Sequence, residues 1–125
     1  MVTPPVVVVV GSGGRAPLRD ALLDAGLTPL EREGIQPVLG TLRHEPTAGI
    51  VVDATRGDVD VLELLLNVRD VSTDVALAVI GSRKLLEEVV PLLGGFDDVL
   101  LFSERTSPRT VVADLVESIE LRAQG

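Results

Sequence analysis

The chain has 125 residues, a formal net charge of −8, no cysteine and one histidine, His44. That length holds one domain with a sizeable core, and the lack of cysteine excludes a disulfide framework and thiolate-bound metals. The acidic balance argues against this domain touching nucleic acid directly, because phosphate contact needs a basic face.

Apolar residues make up 46% of the chain, and Phe96 and Phe102 are its only aromatic side chains. The core is therefore expected to be aliphatic, and one histidine is too few for a histidine-rich metal site or a histidine-based triad. After Pro4-Pro5 comes Val6–Val10, a β-branched run without polar alternation. It reads as a strand buried on both faces of a parallel sheet. The run is far too short to span a membrane and lacks the flanks of a signal peptide, so a cytoplasmic location without membrane contact is expected.

Gly11-Ser12-Gly13-Gly14 makes a sharp turn into a helix that starts near Pro17, carries Leu18, Ala21, Leu22 and Ala25 at helical spacing, and stops at Gly26. Residues 27–33 form a weak strand, which Pro29 assigns to an edge of the sheet. Residues 36–45 hold Val38, Leu39 and Leu42 at helical spacing, weakened by Gly40 and ended by Pro46. Residues 50–53 are the next strand and 59–71 the next helix, followed by an all-apolar strand over 75–80.

Ser82 is placed to cap a helix over 83–90, and Pro91 to kink or end it. Residues 99–102 form a last short strand. Ser107-Pro108 signals an N-cap and first helical position. The final helix runs to about Arg122, with Val111, Val112, Leu115, Ile119 and, less regularly, Leu121 on its inner side.

Five β-α units in succession imply right-handed crossovers and a parallel sheet covered on both faces. The expected fold is α/β, a flavodoxin-like doubly wound parallel sheet with strand order 2-1-3-4-5.

Three features are candidates for chemistry. Asp53 closes a central strand, where open α/β sheets place their ligands. The turn Gly11-Ser12-Gly13-Gly14-Arg15-Ala16 satisfies the dinucleotide pattern G-x-G-x-x-A, with Glu31 or Glu33 about twenty residues on; a plain tight turn is the competing reading. Asp58 and Asp60 suit a polar turn and N-cap region, with a metal site as the weaker alternative. His44 is expected to be solvated.

Two stretches carry a resemblance. Asp53-Ala-Thr-Arg-Gly-Asp-Val-Asp60-Val-Leu-Glu-Leu-Leu65 is similar, without a gap, to a phosphoacceptor strand end followed by a Met-Asp-Gly-Leu-Glu-Leu-Leu helix start. Gly95-Phe-Asp-Asp98-Val-Leu is similar to a Gly-Ala-Asp-Asp-Tyr-Leu approach to a last strand. Both belong to the receiver domains of bacterial two-component response regulators, which the chain resembles over nearly its whole length. The resemblance puts Asp53 at the phosphoacceptor position.

The family's other site groups are missing. Its acidic pair after the first strand, which holds Mg²⁺, falls on Gly11 to Arg15, where there is no carboxylate. Its Thr or Ser after the fourth strand falls on Gly81, with Ser82 one position late. Its lysine before a cis-proline falls on Phe102-Ser103. Phosphoryl transfer depends on such charge stabilisation, so the resemblance implies a pseudo-receiver that needs no cofactor or metal and is not an enzyme.

The implied role is a signal-transduction domain at the N-terminus of a longer regulator, controlling a DNA-binding output domain that follows it. It would act by phosphorylation-independent homodimerisation or partner docking. Arg83, Lys84, Asp97, Asp98, Arg105 and Arg109 are the candidate dimer face, with a solvated charged rim as the competing reading. The alternatives are a phosphoacceptor switch using Asp53 with a degenerate Mg²⁺ site, and a small-ligand or nucleotide sensor at Gly11 to Gly14.

Overall fold

The computed structural model describes residues 5–11, 16–57, 59–96 and 98–124. The β-branched and aliphatic runs form five parallel strands: β1 (Val6–Val10), β2 (Thr28–Arg32), β3 (Thr47–Asp53), β4 (Ala76–Gly81) and β5 (Val99–Ser103). Their order is β2-β1-β3-β4-β5, the flavodoxin-like arrangement expected from the alternation of units. All six residues of β4 are buried, and β2, which contains Pro29, lies at the edge.

Five helices cover the sheet: α1 (Ala16–Asp24), α2 (Ile35–His44), α3 (Val61–Val71), α4 (Arg83–Val89) and α5 (Pro108–Gln124). Strand residues alternate between the two faces, so each face has its own core. Val8, Ile50, Val52, Leu77 and Val79 pack against Val38, Leu64, Leu65 and Val68 from the α2, α3 and α4 side. Val7, Val51, Ala78, Ile80 and Phe102 pack against Leu18 and Leu22 of α1 and Val111, Val112 and Leu115 of α5.

The helix boundaries follow local chemistry. Asp60 caps α3 by accepting from the Glu63 N–H at 3.1 Å, Ser82 caps α4 through Leu85 N–H at 3.2 Å, and Ser107 accepts from Thr110 N–H at 3.2 Å. α4 stops at Val89, and Pro91 follows inside a short 3-10 turn over Val90–Leu93. His44 is exposed at the end of α2.

One expectation is corrected. Leu121 is 62% exposed. On α5, Leu115 and Ile119 are followed at helical spacing by residue 122, so the inward position goes to Arg122 and Leu121 turns to solvent.

Candidate functional site

Because the strands are parallel, their carboxyl ends gather at one edge of the sheet. Asp53 is the last residue of β3 and only 9% exposed. Its Oδ1 accepts the Thr55 hydroxyl at 2.6 Å and the Thr55 backbone N–H at 3.1 Å, a local turn that holds the carboxylate.

The described residues in its row of the sheet, and Gly11 after β1, are apolar or lack a side chain. Asp53 is in register with Ile80 of β4, and Ile80 with Phe102 of β5. With strands about 4.8 Å apart, this row carries one carboxylate, then an isoleucine, then a phenylalanine. Phe102 is buried in the α1/α5 core. Gly11 follows β1 with φ 136°, and a Cβ there would lie 2.5 Å from the Asp53 carbonyl oxygen. The chain approaches Asp53 too closely at this point for any side chain.

Gly81 is different. Its φ is ordinary, and an added Cβ would meet the end of the Leu85 side chain at 2.7 Å, which can move. Its carbonyl accepts the Glu104 N–H at 3.0 Å. The hydroxyl of Ser82 is used in capping α4, and that of Ser103 accepts the Arg105 N–H at 3.2 Å. Thus Gly11, Gly81 and Phe102 bring no charged side chain to Asp53. Among the described residues no cis peptide occurs and no group of three His, Asp or Glu side chains could hold a metal ion.

Ser12, Gly13, Gly14 and Arg15 of the glycine turn lie outside the described residues, as does Asp58. Gly11 itself lines a cavity of ≈ 420 Å³ bounded by the end of β1, the start of α2 and the start of α3. Glu33, from the end of the β2 unit, and Asp60, the cap of α3, line the same cavity. Glu31 is not among its lining residues.

The candidate dimer residues are spread over separate places. Arg83 and Arg105 line a groove of ≈ 640 Å³ between α4, the 3-10 turn and β5, together with Val90. Arg83 pairs with Glu87 one helical turn on, at 3.1 Å and largely in solvent. Lys84 is exposed and lines neither this groove nor the next. Arg109 lines a different groove of ≈ 710 Å³ between α1 and α5. Asp97 is outside the described residues.

Asp98 stands at the opposite edge, at the start of β5, in a cluster that sequence reasoning did not find. Its Oδ2 accepts from Arg69 of α3 at 3.1 Å and also from Arg122 of α5. Arg69 donates further to the carbonyl of Val75 at 2.9 Å, and Arg122 to that of Thr73 at 3.0 Å. The two guanidinium groups keep 16% and 20% side-chain exposure. Burial lowers the pKa of each; for Arg122 the neighbouring Arg69 charge lowers it further, while Asp74 raises both. The only sequence signal was the helical spacing of 115, 119 and 122.

No protein-family model matches the sequence, and no curated protein does. Solved structures do match in shape. A signal receiver domain of an HD domain-containing protein from Pseudomonas fluorescens is 13% identical, with a TM-score of 0.81 over 97% of this chain and 98% of the other. A response regulator receiver protein from Sinorhizobium medicae is 13% identical, with a TM-score of 0.76 over 94% and 96%. The constitutive lysine decarboxylase of E. coli is also 13% identical, with a TM-score of 0.76, covering 96% of this chain but 18% of that one. The chain therefore has the receiver-type fold, which other proteins also use.

Proposed function

We propose that this chain is a receiver-like regulatory domain of two-component-type signalling that works without phosphorylation of Asp53. The observation that carries this reading is the row Asp53, Ile80, Phe102 beside the bare Gly11. Gly11, Ile80, Gly81 and Phe102, the described residues at the ends of β1, β4 and β5, offer an acyl phosphate on Asp53 neither a carboxylate for Mg²⁺ nor a neutralising cation. Likeness to receiver domains in shape supports the signalling role, and their regulatory rather than catalytic nature supports a non-enzymatic one.

In this reading the domain signals by homodimerisation or partner docking, as the N-terminal part of a longer cytoplasmic regulator with a DNA-binding output domain. The groove of Arg83 and Arg105 is the favoured face. Val90 and Leu92 are 51% and 57% exposed beside it, and Glu87 and Glu104 supply charges opposite in sign to the arginines. A two-fold interface needs such self-complementarity. No helix among the described residues is long and apolar enough to cross a membrane. Sedimentation equilibrium tests the reading: a dimer is expected without any phosphodonor, weakened at least about tenfold by the double substitution Val90→Asp, Leu92→Asp. A chain that dimerises only with Mg²⁺ and a phosphodonor would support the phosphoacceptor alternative.

A further inference from the structure

Strands β1 and β3 are neighbours, yet α1 lies on one face of the sheet while α2 and α3 lie on the other. Such a switch point opens a crevice beyond the carboxyl ends of the strands, and open α/β sheets bind ligands there. Here the crevice is the ≈ 420 Å³ cavity, within the range of roughly 300–1,000 Å³ for small-molecule pockets.

The lining is divided in character. Val10, Ile35 and Leu64 contribute apolar walls, and Glu33, Gln36 and Asp60 contribute polar side chains. Gly11 leaves backbone alone at the β1 side, since no Cβ fits there. Asp60 is held in place by its bond to the Glu63 N–H. No arginine or lysine is among the described lining residues.

We propose that this cavity binds an uncharged purine ribonucleoside. A carboxylate just past the second strand, about twenty residues beyond a glycine turn, is placed to accept hydrogen bonds from the two ribose hydroxyls; Glu33 holds that position and shares the cavity with Gly11. The apolar walls suit the flat faces of a base. The Gln36 amide can donate to and accept from a purine edge at the same time. Two carboxylates in one cavity oppose a phosphate group, so the nucleoside is preferred over its nucleotides. This site is independent of Asp53 phosphorylation and of the dimer face.

Calorimetric titration of the chain with adenosine and guanosine tests the proposal, with 2′,3′-dideoxyadenosine, adenosine monophosphate and putrescine as comparison ligands. One of the two ribonucleosides should bind in a one-to-one ratio. The dideoxy and phosphorylated forms and the Glu33→Gln variant should each weaken binding about tenfold or more, because the ribose–carboxylate hydrogen bonds are lost or a second negative charge is brought against the carboxylates. Val59→Trp, which fills the cavity from its rim, should abolish binding while the thermal melt stays cooperative. Absence of heat or melting shift with both ribonucleosides would overturn the proposal. So would full affinity in Glu33→Gln and Val59→Trp, or binding of putrescine alone, which would mark a cation site.

Discussion

Phe102 shares an in-register row of the sheet with Asp53, with Ile80 between them. The end of this row is filled by a ring that belongs to the α1/α5 core. Replacing it with Phe102→Lys removes that packing and draws a charged chain towards Val111 and Leu115. The variant should lose about 3 kcal/mol of stability in urea unfolding and gain no phosphorylation. Stability equal to that of the parent would show that the ring is not a structural part of the core.

Gly11 and Gly49 make a contrasting pair. At Gly11 a Cβ would lie 2.5 Å from the Asp53 carbonyl oxygen at φ 136°, whereas at Gly49 it would make ordinary contact with Leu115 at 3.4 Å. Gly11→Ala should cost about 1–3 kcal/mol, and Gly49→Ala less than about 1 kcal/mol. Comparison of the two denaturation midpoints checks this. The same crowding means that Gly11→Asp should fail to install a metal ligand without shifting the backbone.

The cluster at the opposite edge has its own signature. Asp98→Ala leaves Arg69 and Arg122 side by side without their shared carboxylate. It should destabilise the chain by about 1 kcal/mol, since the group is partly solvated. Added salt should restore part of the loss by screening the two like charges. Arg69→Ala should cost more, about 2 kcal/mol, because the Val75 carbonyl also loses its donor. Equal midpoints for Asp98→Ala and the parent at low salt would show that the cluster contributes nothing.

Much of the fold was legible because its signals are local. Val6–Val10 has the composition of a buried parallel strand, Pro29 marks the edge strand, and Ser82 and Ser107 mark helix starts that the structure retains. The resemblance around Asp53 and Asp98 also located the central strand end. What could not be read were contacts between residues distant in sequence. Asp98 looked like one of a row of surface charges, but Arg69 and Arg122 come from helices 29 and 24 residues away to meet it. Arg122 was harder to read: its helical spacing from Leu115 and Ile119 marks the inner side of α5, but a charge near a helix end is ordinarily solvated. Glu33 was recognised only as one of two acids at a suitable distance, and the cavity it shares with Gly11 distinguishes it from Glu31.

The central proposal is that Asp53 is not phosphorylated. Its most direct test is the intact mass of the protein after incubation with Mg²⁺ and acetyl phosphate, beside an Asp53→Asn control. A single unmodified mass is expected for both proteins. A phosphoryl adduct on the parent chain that is absent from Asp53→Asn would contradict the account.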